Sequence, residues 1–66
     1  MTHEEFEACK LPVKLSFKES EASRQVLVLG LSIESAAYCV GLDTVDGVNA
    51  IKSAIEMINT ALKNSN

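Results

Sequence analysis

Four side chains stand out as able to do chemistry together: Lys14, Lys18, Arg24 and Tyr38. With Lys10, the first three make up four of the six basic residues, gathered between positions 10 and 24. In an extended segment Lys14 and Lys18 point the same way. Subunits arranged around an axis would then line a groove with repeated positive charge, which suits an anion such as a nucleotide. Tyr38 adds a π-face and a hydroxyl, fitting a subunit contact first and a stacking platform for a base second. The plainer reading of the lysines is an edge strand guarded against aggregation.

Other chemistry is thinly represented. His3 is the only histidine and reads as an exposed residue at a helix start. No serine or cysteine has a base close to it in sequence, so no nucleophile is marked. Asp43 and Asp46 are too few oxygen donors for a calcium loop and fit helix capping better. Gly41 and Gly47 belong to no phosphate-cradling pattern. His3, Cys9 and Cys39 fall short of a structural zinc set. The two cysteines lack a disulfide framework and read as small hydrophobes in a reduced, cytoplasmic setting. The expectation is a protein that is not an enzyme and that takes no metal and no cofactor.

The elements follow from periodicity. Thr2-His3-Glu4-Glu5 is a capping box that opens a short helix over about 3–10, and Pro12 ends it. Residues 13–18 alternate strictly, with Val13, Leu15 and Phe17 on one face and Lys14, Ser16 and Lys18 on the other, so 12–18 reads as an extended arm. Residues 20–40 are read as one helix, capped by Ser20 and closed by Gly41 with Leu42 in a Schellman motif. Read as a strand, 25–33 would instead pair with 12–18 in a β-hairpin, but the turn between them lacks Gly, Asn or Asp. Residues 44–63 form the clearest helix, with a bulky row (Val48, Ile51, Ile55, Ile58, Leu62) beside a small-residue row containing Gly47, Ala50, Ala54, Met57 and Ala61.

These elements compose one small domain over 1–66, mainly α: an N-terminal arm (1–19), an antiparallel helical hairpin (20–63) and a frayed tail (64–66). The alternative is α+β, the hairpin 12–18/25–33 followed by one long helix. A chain of this size buries only about 60 % of its unfolded surface. With 47 % apolar residues and neither disulfides nor metal, self-association is the expected source of further stability. The expected homo-oligomer interface takes Val26, Leu27, Leu29, Leu31 and Ile33 from the first hairpin helix. The second contributes Ala50, Ala54, Met57 and Ala61.

The net charge of −3 disfavours nucleic acid as a partner. The apolar run 26–31 is too short to span a bilayer, and the first residues lack the basic and apolar regions of a signal peptide. The expected function is that of a small oligomeric regulator acting by binding another macromolecule, a protein first of all. A binder of a small nucleotide-like anion between subunits is the alternative.

Overall fold

The computed structural model of the protein describes residues 1–64 and is helical throughout, with four helices and no strand among the described residues. The first, α1, spans His3–Lys10. Its capping box is complete: the Thr2 N–H donates to Glu5 Oε1 at 2.9 Å, and the Glu5 N–H donates to Thr2 Oγ1 at 3.1 Å. Helix α2 spans Phe17–Leu27 and starts with the same device, Ser16 and Glu19 exchanging bonds of 3.1 and 3.2 Å. Each box satisfies two backbone donors that a helix start leaves without an intrahelical partner.

The helix expected over 20–40 is two helices. Gly30 adopts φ +79°, which ends α2 because a left-handed residue cannot continue a right-handed helix. The Gly30 and Leu31 N–H groups close the turn onto the carbonyls of Val26 and Gln25 at 3.2 and 3.1 Å. Helix α3 (Ile33–Val40) begins afresh, with Ser32 Oγ accepting from the Ser35 N–H. It ends at Gly41, φ +78°, where the Leu42 N–H donates to Ala37 O at 2.8 Å and the Gly41 N–H to Tyr38 O at 3.2 Å. That is the anticipated Schellman closure.

Two further expectations are corrected here. The N-cap is Ser16 rather than Ser20, so Phe17 and Lys18 lie in α2 and the arm is a short connection over 11–16. The β-hairpin 12–18/25–33 is absent, since residues 17–27 are helical. Of the tail 64–66, Asn64 closes the last helix; Ser65 and Asn66 lie outside the described residues.

Helix α4 (Val45–Asn64) is the spine on which the other three pack. Thr44 caps it, accepting from the Gly47 N–H at 3.0 Å, and Asp46 sits in the first turn where the dipole favours an anion. Its buried stripe is Gly47, Ile51, Ala54 and Ile58, drawn from both of the rows seen in sequence. The inward face therefore draws on both rows, and the neighbours its buried residues touch are helices of the same chain.

Two clusters divide that face. Ala22, Ala36, Ala37 and Ile51 form one, where α2 and α3 meet the first half of α4. Phe6, Cys9 and Ile58 form the other, where α1 covers the second half. Alanines at the first crossing let helix backbones approach closely. Full burial of Ile51, Ile58 or Phe6 contributes about 1.5–3 kcal/mol each. The radius of gyration, 10.9 Å, matches the roughly 10.8 Å expected of a folded chain this long.

Candidate functional site

Leu11 caps α1, and Pro12 then denies the helix its next donor. The chain turns with the Val13 N–H donating to Lys10 O at 3.0 Å and re-enters a helix at Ser16. This short path leaves two large apolar side chains in water: Leu11 is 82 % and Phe17 83 % exposed. Phe17 occupies the first helical position. The inward residue Ala22 lies five residues on, roughly 140° around the helix, so Phe17 points away from the core.

A shallow groove lies on each side of the connection. One, of about 300 Å³, is bordered by Leu11, Val13, Leu15 and Phe17. The other, of about 760 Å³, runs between Pro12–Lys14 and the outer side of α4, where Met57, Thr60 and Ala61 form its floor and Glu56 its rim. Met57 is half-exposed, and its thioether stem adapts readily to varied apolar contacts.

The four side chains singled out for an anion have separate surroundings. Lys14 is exposed on the rim of the larger groove and forms no ion pair among the described residues. Lys18 turns toward the C-terminal end of α3, with Nζ 4.0 Å from where a Cβ on Gly41 would stand. That placement suits the negative end of the helix dipole. Arg24 is held by Glu21 through two hydrogen bonds, Nε to Oε2 at 3.2 Å and Nη2 to Oε1. The pairing keeps the Glu21 carboxyl below the usual carboxylate range and raises the Arg24 guanidinium. Tyr38 is exposed on α3. Because Lys14 is in a loop and Lys18 in a helix, the period-two alignment expected of them does not apply.

The residues expected at a subunit interface also separate into classes. Ala54 is fully buried inside the chain. Val26, Ile33, Leu27 and Ala61 pack partly buried against the two core clusters, and Ala50 is half-buried on α4. Leu29, Leu31 and Met57 remain on the surface.

Elsewhere the polar groups are committed locally. His3 pairs with Glu7 at 3.6 Å in the open, and the buried Ser23 hydroxyl donates to Glu19 O at 2.7 Å. Glu5 lies below the usual carboxylate range because it accepts from the Thr2 N–H. Among the described residues no three His, Cys, Asp or Glu side chains gather as metal ligands, and no helix is long and apolar enough to cross a membrane. Sequence reasoning missed Leu11 and Phe17. The signal was present in Ser16-Phe17-Lys18-Glu19, a second capping box that places Phe17 at the start of a helix rather than on a strand face.

Set beside protein-family models, curated proteins and solved structures, the chain matches none. Its chemistry must be argued from its own surface.

Proposed function

We propose that this protein is a non-enzymatic interaction module, a self-associating regulator that acts by docking another macromolecule. One observation carries the reading: the uneven use of apolar residues. Among the described residues the buried core holds only three large apolar side chains, Phe6, Ile51 and Ile58, with alanines, Cys9, Ser23 and Gly47 filling the rest. Leu11, Phe17, Leu29, Tyr38 and Val45 are each more than half exposed. Scattered exposed leucines are ordinary, but large aromatics and aliphatics left out while alanines fill the core favour a second surface to bury them.

In this proposal Leu29 and Leu31 in the α2–α3 turn, with Tyr38 on α3, serve self-association. The connection between α1 and α2 is left for a partner. A reducing, cytoplasmic setting belongs to the same reading, supported by two unpaired thiols, Cys9 buried and Cys39 exposed. The anion-binding alternative draws less support, because Arg24 is already neutralised by Glu21.

Native mass spectrometry and light scattering across a concentration series test the assembly. The expected mass is a multiple of 7.1 kDa, falling when Leu29 and Leu31 are replaced by serine. A 7.1 kDa species at every concentration overturns self-association.

A further inference from the structure

The segment 8–18 carries Lys10, Lys14 and Lys18 and no acidic residue, in a chain whose net charge is −3. The same segment holds the two most exposed large apolar side chains, Leu11 and Phe17. Positive charge and free apolar surface thus coincide on the connection between α1 and α2, the one stretch of the sequence in which three lysines fall within nine residues. Lys10 is partly spent, paired with Glu7 at 3.3 Å and lying over the Phe6 ring. Lys14 forms no ion pair among the described residues, while Lys18, the second residue of α2, turns toward the C-terminal end of α3.

We propose that this face docks an acidic amphipathic helix of a partner protein, with Leu11 and Phe17 as its projecting apolar contacts and Lys10 and Lys14 as flanking charge. The inference rests on the interaction-module reading and names the chemistry of the partner. An amphipathic helix lays its apolar side chains into a groove at intervals of three and four residues. The smaller groove, bordered by Leu11, Val13, Leu15 and Phe17, offers the apolar lining for those side chains. Acids beside them would meet Lys10, which lines the same groove, and Lys14 on the connection.

Two other occupants fit less well. A second copy would have to supply acid together with free apolar side chains. Its most acidic stretch, Glu4 to Glu7, has Phe6 and the following Cys9 buried, and its exposed pairs Glu34–Tyr38 and Val45–Asp46 each offer a single apolar side chain. An anionic membrane holds a protein through clusters of several basic residues near its surface, and one unpaired lysine with a partly engaged second is little charge for that purpose.

The test uses the whole protein and a fluorescein-labelled synthetic helix of roughly 14 residues, about four turns, with leucines on one face and glutamates on the other. A control peptide carries lysine in place of glutamate. Fluorescence anisotropy should show the acidic peptide binding at least about tenfold more tightly than the control at low salt, with the preference shrinking as salt rises. The surface variants Leu11→Ser with Phe17→Ser, and separately Lys14→Glu, should each weaken it by about tenfold or more. Circular dichroism checks that the variants stay folded.

Absence of acidic-peptide binding overturns the proposal, as does equal binding of the lysine peptide. Phe17-dependent sedimentation with phosphatidylserine vesicles, without peptide binding, would assign the face to a membrane instead. A native mass reduced by the Leu11/Phe17 pair would assign it to a second copy. The peptide result is independent of the native mass of the wild type, so failure of self-association and failure of this inference are read separately.

Discussion

Gly47 is the position where ordinary helix reasoning gives the wrong sign. Replacing a helical glycine by alanine normally stabilises by up to about 1 kcal/mol. A Cβ on Gly47 would stand 2.3 Å from the Leu42 carbonyl oxygen and 2.8 Å from its carbon. Both are backbone atoms of the α3–α4 connection, so neither can swing aside as a side chain would. Overpacking of this kind costs about 1–3 kcal/mol, and backbone obstruction puts Gly47→Ala at the upper end. Subtracting the helix gain leaves a net loss of about 2 kcal/mol, or roughly 8–16 °C in Tm for a domain of this size.

Gly30→Ala should lose about 1–2 kcal/mol for a different reason. Nothing lies within 4 Å of its Cβ position, but φ is +79°. Asparagine separates the two causes, because it visits the left-handed region more readily than alanine. Gly30→Asn should recover part of the loss, whereas Gly47→Asn should be at least as damaging as Gly47→Ala. Thermal melts followed by circular dichroism read all four variants. A Gly47→Ala protein more stable than wild type would refute the close approach of Leu42, and equal damage from alanine and asparagine at 30 would refute the backbone explanation.

Other expectations follow from burial and charge. Ala54→Glu should unfold the chain itself, seen as lost helical dichroism, because it buries an unpaired carboxylate; Glu56→Ala, on an exposed site, should leave the melt within about 0.5 kcal/mol of wild type. Glu5 and Glu21 both have carboxyls lowered in the folded state, so their contribution is present above the unfolded value near about 4.3 and is lost as pH falls through the lower folded values. Urea denaturation from about pH 7 down to about pH 3 should show that decline, flattened in Glu21→Gln; stability rising on acidification would contradict it. Gln25 Oε1 is buried without a hydrogen-bond partner, so Gln25→Leu should be neutral or stabilising by up to about 1 kcal/mol in the same assay, and a clear loss would show that the amide matters.

How far the sequence spoke can be followed residue by residue. The cap at Thr2 and the Gly41 closure are local devices whose partners lie within a few positions, and each is legible, whereas the capping read for Asp43 falls to its neighbour Thr44. Gly30 is an awkward residue for the interior of a helix over 20–40, yet Ser20 and Gly41 at its ends favour one helix; one left-handed residue suffices to divide it, whatever the ends favour. The alternation of 13–18 competed with the Ser16–Glu19 capping box over the same residues. The cap prevailed because it satisfies backbone donors that a lone strand would have left unpaired. The rows on α4 were correctly apolar, but periodicity says that a face is covered and not by what. The exposed pair Leu11 and Phe17 depends on which way a helix faces its core, and that is decided by Ala22 and Ile51 meeting from distant parts of the chain.

The seating of Phe6 and Cys9 on Ile58 also bears on how the molecule opens. It ties the first helix to the last across nearly the whole chain, whereas the Ala22–Ala36–Ile51 cluster joins consecutive elements. Loop-closure entropy grows only with the logarithm of length, so holding α1 in place is not prohibitive. Non-local contacts nonetheless form late, and a short terminal helix opens at lower free energy than the whole. Departure of α1 would bare Ile58 together with Leu27 and Leu62 while the other cluster stayed closed. Amide exchange would therefore register two tiers of protection, with α1 releasing its protons well before the first half of α4.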